Sequence, residues 1–86
     1  MEEIEIALNL AKMGKPLTAI NFIKQFLKNN PDIIVDSEEC KNIAYVITHF
    51  PSLNDESWRY FVHIEKEDAI MMIEKIGECI RVQVGT

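Results

Sequence analysis

The sequence predicts an all-α protein, a compact bundle of four to five short helices in a single domain over residues 1–86. Three observations indicate this fold class. Apolar residues recur at intervals of three and four along most of the chain, which is the helical period. Gly and Pro residues fall between the periodic stretches, where helices end and begin. The 86 residues, with 48% hydrophobic and 27% charged side chains, suit one folded domain and not two.

The first two predicted helices form an αα-hairpin at the N-terminus. The first spans residues 2–13 and stops at Gly14, because glycine tolerates the left-handed conformation of a helix C-terminus. Pro16 suits the first turn of the second helix. That helix runs to Asn29, and Pro31 ends it because a proline restricts the residue before it.

Three more helices follow the hairpin. The third begins near Asp36 or Ser37, where Asp36 and Glu39 have capping-box spacing, and it ends at Phe50 and Pro51. Several N-cap residues between 52 and 55 precede a fourth helix that reaches about residue 63. The fifth covers residues 65–76, with Gly77 as its candidate end.

The C-terminal residues have a different pattern. Ile80, Val82 and Val84 alternate with polar residues, which is a strand signature. Residues 33–35 are the other candidate strand, so a small two-stranded pairing is one alternative. In the other alternative the last helix runs on through Gly77 to Ile80. We favour an extended tail.

Residues 3–31 carry a spaced set of small and large side chains over two antiparallel helices. The set consists of Ile6, Ala7, Leu10, Gly14, Ala19, Ile23 and Pro31. It resembles a single tetratricopeptide unit, with Glu3 in place of a large aromatic residue and Phe26 in place of a small one. No second copy follows at the next period, and such units stack on neighbours. We therefore expect a repeat-like hairpin within a small bundle. The family's role implies protein–protein binding.

The first helix is apolar over more than half of its circumference. Its apolar residues are Ile4, Ile6, Ala7, Leu8, Leu10, Ala11 and Met13. A surface helix of a monomer has a narrower apolar stripe. Either this helix lies centrally in the bundle, or one flank meets another chain. We expect a homo-oligomer, with Ile6, Leu10 and Met13 as candidate contact residues.

Other candidate contact residues lie on polar helix faces. The helical period places Tyr45 outward beside His49, and Met71 among charged residues. In the same helix as Tyr45 it places the following residues inward: Ile43, Ala44, Val46, Ile47 and Phe50. Exposed aromatic and Met side chains are typical of interface hot spots. Tyr45, His49 and Met71 are therefore predicted to contact a protein partner.

Fourteen acidic and nine basic residues give a net charge of −5, which repels phosphate, so we expect no direct nucleic-acid binding. Asp36, Glu38 and Glu39 group at the start of the third helix. They are either a solvated helix start or a patch for a basic partner. No apolar run reaches the length of a membrane span, and the N-terminus is acidic where a secretory signal is basic. These features predict a cytoplasmic protein with no membrane contact.

The sequence offers no catalytic motif. Cys40 and Cys79 stand far apart, so two free thiols in a reducing cytosol are expected. Together with His49 and His63 they lack the paired spacing of zinc ligands, so we expect no metal and no cofactor. The three glycines form no phosphate-binding loop. We expect a protein that is not an enzyme.

The function expected from these features is that of a small non-catalytic protein that regulates, inhibits or bridges a protein partner of unknown identity. The alternative is a small acidic inhibitor, encoded by a phage or mobile element, that occupies a basic site on an enzyme. The abundance of Ile, Asn and Lys fits an AT-rich coding sequence, as in many phages. A small enzyme or metal protein is a third hypothesis.

Overall fold

A computed structural model describes residues 2–50 and 64–81. This part of the chain contains four helices: α1 (Glu2–Lys12), α2 (Pro16–Asn29), α3 (Glu38–Thr48) and α4 (Lys66–Glu78). The predicted all-α bundle with an N-terminal hairpin is confirmed. The helix that the sequence predicts near residues 52–63 lies outside the described residues.

The turn between α1 and α2 follows the local signals closely. Gly14 has φ +85°, and its N–H donates to the carbonyl oxygen of Ala11 at 3.0 Å. The N–H of Lys15 donates to the carbonyl oxygen of Leu10, also at 3.0 Å. These two bonds are the Schellman arrangement, in which a glycine takes the left-handed position and pairs the last free carbonyl groups of a helix. The tight turn makes α1 and α2 antiparallel neighbours.

The start of α3 lies where the sequence predicts it, but the capping residue is not the one in the expected capping box. Ser37 is the N-cap, and its Oγ accepts a hydrogen bond from the Cys40 N–H at 3.1 Å. Asp36 lies one residue before the cap and pairs with Lys41 instead. The capping box expected from Asp36 and Glu39 is therefore wrong, because serine, one residue later, takes the capping position.

The last helix, α4, continues past Gly77 to Glu78. The expectation that Gly77 ends the helix is wrong. A Cβ added to Gly77 would lie 3.2 Å from the Cγ2 atom of Ile4 on α1. The glycine therefore lies inside the helix at a close approach to α1, where an added side chain would require Ile4 to shift.

The core lies where α2 and α4 meet the other two helices. Both α2 and α4 contact every other described helix, whereas α1 and α3 do not contact each other. The fully buried apolar residues are Ala7, Ala11, Ala19, Ile20, Ile23, Ile47, Ala69, Ile73 and Ile76. One inward prediction on α3 is wrong, because Val46 lies on the surface. Among residues 2–50 and 64–81, no helix has both the length and the apolar character to cross a membrane.

A covalent bond and a β-bridge close one end of the bundle. Cys40 and Cys79 form a disulfide with Cα atoms 5.5 Å apart, so the expectation of two free thiols is wrong. Helical spacing cannot reveal such a pairing, because it depends on how α3 and α4 pack. Next to it, Ile34 and Ile80 form an isolated antiparallel bridge. The expected pairing of the two apolar segments is present at this position, and residues 82–86 lie outside the described residues.

Candidate functional site

Two cross-links set the register between α3 and α4. The Cys40–Cys79 disulfide and an ion pair between Glu39 and Lys75 join the start of α3 to the end of α4. The start of α3 therefore lies beside the end of α4. Val46 lies about two turns further along α3, and Met71 lies about two turns back along α4. Each of these two side chains is exposed on its own helix.

An aromatic stack lies on α3. The rings of Tyr45 and His49 have centroids 3.8 Å apart and planes inclined by 24°. The two residues are one helical turn apart, where side chains on a helix surface meet. The Nδ1 atom of His49 lies 2.8 Å from the carbonyl oxygen of Tyr45, so an Nδ1–H donates to it. This bond holds the imidazole over the phenol ring.

Tyr45 and His49 share one exposed face of α3, and Val46 and Met71 are exposed as well. The relative exposure is 63% for Tyr45, 47% for Val46 and 59% for Met71, and His49 is also exposed. We call Tyr45, Val46, His49 and Met71 the α3–α4 patch. Three of its members were predicted from their helical phase. Val46 was missed because it lies at the edge of the apolar arc of α3, where phase alone does not decide between core and surface.

Two of the acidic candidate residues already form ion pairs within the chain. Lys41 lies 2.8 Å from Asp36, and Lys75 contacts Glu39. A hydrogen bond from each lysine, and then its charge, lowers the pKa of the carboxyl group that it contacts. Two of the three acids predicted as a binding patch are thus neutralised within the chain. Glu38 is exposed in the first turn of α3.

The candidate residues of α1 lie elsewhere. Ile6 and Met13 are 40% and 68% exposed, and Leu10 is half-buried against the core. Because α1 does not contact α3, these residues lie apart from Tyr45, Val46 and His49. The nine residues predicted from the sequence are therefore spread over α1, α4 and α3 with its two ends.

Sequence reasoning missed a buried cation. Lys24 on α2 is only 7% exposed, and its Nζ atom donates to the carbonyl oxygen of Phe50 at 2.5 Å. Burial, and then the charge of Lys28, lowers the pKa of Lys24. The ammonium group lies just after the end of α3, where a helix favours positive charge. Its position within the apolar arc of α2 is the signal that could have revealed it.

The surface residues of the α3–α4 patch have mixed chemistry. They present an aromatic stack, a branched aliphatic side chain and a thioether, bordered by ion pairs. Cys40 and Cys79 bind each other, so neither thiolate is available to a metal or as a nucleophile while the bond is intact. His63, the other histidine considered as a zinc ligand, lies outside the described residues.

Comparison with known proteins finds no matching family model, no matching curated protein and no matching solved structure. The resemblance of residues 3–31 to a tetratricopeptide unit therefore stays a prediction from the sequence.

Proposed function

We propose that this chain is a small non-catalytic protein that binds a protein partner through the α3–α4 patch. The observation that carries the proposal is the exposed, pre-formed stack of Tyr45 and His49, on a molecule where Val46 and Met71 are exposed as well. Binding energy at protein interfaces concentrates in a few such side chains, with tyrosine among the most enriched. Methionine adapts its shape to a partner surface. Through this contact the protein would regulate, inhibit or bridge its partner.

The stack lowers the cost of binding. Association loses the rotamer freedom of each side chain that becomes fixed. His49 is already held against Tyr45 by ring contact and by a hydrogen bond to the backbone, so this ordering is largely complete before the partner arrives. A pre-organised aromatic surface is therefore better suited to binding than the same residues free to rotate.

The alternative, an acidic inhibitor that occupies a basic site, has less support. Asp36 and Glu39 already contact Lys41 and Lys75. A basic partner would have to break these ion pairs or accept a surface of reduced charge. The two functions differ in their salt dependence, because charge-driven binding is screened by salt and apolar contact is not.

The decisive experiment begins with the partner. Pull-down from native lysate followed by mass spectrometry identifies it, and calorimetry then gives the affinity of each variant. Tyr45→Ala and Met71→Ala are expected to cost about 2 kcal/mol or more each. Both side chains are exposed, so folding should change little. Gln25→Ala, on the exposed side of α2, is the matched control and should bind as the wild type does.

Charge reversal tests the alternative on the same partner. Glu38→Lys with Glu39→Lys should leave the affinity nearly unchanged if the α3–α4 patch makes the contact. If this variant loses binding while Tyr45→Ala and Met71→Ala keep it, and if affinity falls steeply with salt, the acidic inhibitor is the better account. Circular dichroism of every variant separates loss of binding from loss of fold.

The cytoplasmic location expected from the sequence stays a prediction, and the disulfide removes one of the arguments for it. It rested in part on free thiols, whereas Cys40 and Cys79 are bonded. Structural disulfides persist in oxidising compartments and are rare in a reducing cytosol. Trapping thiols by alkylation in intact cells would test it, because a cytosolic chain should have both cysteines reduced.

A further inference from the structure

One face of the hairpin is partly exposed. On the side of α1 where Ile4 meets Gly77, α4 covers the helix. At about 100° per residue, Ile6, Leu10 and Met13 project from the other side of α1. Their partial or high exposure agrees with that placement. The stripe therefore lies at the edge of the core, which Leu10 contacts, with Ile6 and Met13 exposed.

Residues of α2 extend this partly exposed face of the hairpin. Phe22 and Phe26 are half-buried on α2, on the side away from Lys24 and α3. Because the turn is centred on Gly14, residues equally far from it lie level, which places Phe22 beside Ile6. We call Ile6, Leu10, Met13, Phe22 and Phe26 the hairpin face.

We propose that the hairpin face binds a second copy of this chain, with α1 of the two copies packed antiparallel about a two-fold axis. The residues Glu3, Ile6, Leu10 and Met13 are spaced by three, four and three, as in the seam of a coiled coil. In the antiparallel register, Ile6 of one copy lies opposite Leu10 of the other. The same register brings Met13 of one copy next to Glu3 and the neighbouring Phe26 of the other, where sulfur and ring attract each other.

The charges of α1 indicate that the molecule bound at the hairpin face is a second copy of this chain. Its first turn carries Glu2, Glu3 and Glu5, and Lys12 in its last turn is followed by Lys15. Antiparallel pairing with a second copy brings the acidic end of each α1 to the basic end of the other. Parallel pairing would bring like charges together. The pattern is thus complementary to itself under a two-fold rotation, which an isologous dimer requires.

The position of Asn9 is consistent with the same two-fold axis. Asn9 lies on the exposed edge of the seam near its midpoint, so the two copies of Asn9 come close together. An amide both donates and accepts, so two identical side chains can pair with each other. The arrangement therefore leaves no like charges facing each other at its centre.

Sedimentation equilibrium of the full chain tests the proposal. We expect a dimer at micromolar concentration. Ile6→Glu, which puts a charge into the middle of the seam, should give a monomer with an unchanged circular-dichroism spectrum. Met71→Glu is the matched control outside the hairpin face and should stay dimeric. A wild-type chain that is monomeric up to about 100 μM overturns the proposal, as does an Ile6→Glu variant that dimerises like the wild type.

Exchange of charges tests the orientation. One variant combines Glu2→Lys with Glu5→Lys, and the other combines Lys12→Glu with Lys15→Glu. Each alone should dimerise at least about tenfold more weakly than the wild type, because both of its ends then carry the same charge. An equimolar mixture should recover dimerisation, since opposite charges meet at both ends. The proposal fails if each variant alone dimerises normally or if the mixture gains nothing. Partner binding through the α3–α4 patch is measured separately, so either proposal can fail without the other.

Discussion

Gly77 shows how much a single residue depends on its surroundings. In the sequence it resembles a helix end, since glycine is common there. In the structure it lies inside α4, and the Cγ2 atom of Ile4 on α1 would lie only 3.2 Å from an added Cβ. The local sequence around Gly77 does not distinguish a helix end from a close contact, because the contacting residue, Ile4, lies more than seventy positions away.

The contact at Gly77 gives the first prediction. Gly77→Val should destabilise the protein by about 1–3 kcal/mol, because its extra atoms overlap Ile4 and force α1 and α4 apart. The cost should shrink when Ile4→Ala removes the obstructing atoms. Urea denaturation of the two single variants and the double variant measures this coupling.

Strictly additive effects in that cycle would show that the two side chains do not compete for the same space. The matched control is Gly14→Val, where nothing lies within 4 Å of an added Cβ. Its cost should come from the positive φ instead, and Ile4→Ala should not relieve it.

At the scale of elements, helix bounds were predictable where the signals are local. The Gly14 turn and the start of α2 at Pro16 agree with the prediction because each depends on backbone preferences of one or two residues. The end of α4 was predicted less well, because this helix continues past Gly77, where it packs against Ile4, to Glu78. The N-cap of α3 is Ser37, one of the two residues at which the sequence predicts the start of this helix.

In the candidate site, too, features set by local sequence were predicted and features set by contacts between helices were not. Helical phase placed Tyr45 and Met71 on the surface correctly, because exposure on a well-defined helix follows from its period. The pairing of Glu39 with Lys75 could not be predicted, because the lysine comes from another helix. The acids were therefore given more weight as a binding surface than their ion pairs allow.

The ion pair between α3 and α4 gives a second prediction. Lys75 lowers the pKa of Glu39 below its usual value of 4.5. A carboxyl whose pKa is lower in the folded state stabilises the fold fully above its unfolded pKa. That contribution is lost as the pH falls through the folded value. The free energy of unfolding should therefore decrease as the pH falls from 6 to about 3, and the decrease should be smaller in Glu39→Gln.

Urea denaturation at several pH values measures the slope. Glu38→Gln, which changes the adjacent exposed acid, is the control and should follow the wild-type curve more closely. High salt should weaken the Glu39 contribution, because both partners are exposed to solvent. Identical curves for Glu39→Gln and the wild type would mean that the contact with Lys75 adds nothing to stability.

At the scale of the whole molecule, the disulfide gives a third prediction. The bond between Cys40 and Cys79 joins residues 39 positions apart, so it restricts the unfolded chain strongly. For a loop of this length the expected stabilisation is about 2–4 kcal/mol. A reducing agent should lower the free energy of unfolding by this amount.

The double variant Cys40→Ala with Cys79→Ala should lose the same stability without any reducing agent, and adding one should not change it further. Cys79 is buried, so part of the variant's loss will come from the missing sulfur atom. Denaturation curves of the wild type that coincide with and without the reducing agent would show that the bond does not stabilise the fold. The sequence could not indicate this bond, since lone cysteines far apart favour free thiols.

The same bond divides the chain mechanically. Under a force that pulls the two termini apart, the Cys40–Cys79 link carries the tension, and the residues between its ends are shielded from it. Only the segments outside the loop, chiefly the α1–α2 hairpin, can be drawn out. Cleaving the link releases the 39-residue loop, which is about 130 Å of additional extended chain. In the oxidised protein the α1–α2 hairpin is therefore the part that unfolds under the applied force, while α4 and the part of α3 after Cys40 carry none of the tension.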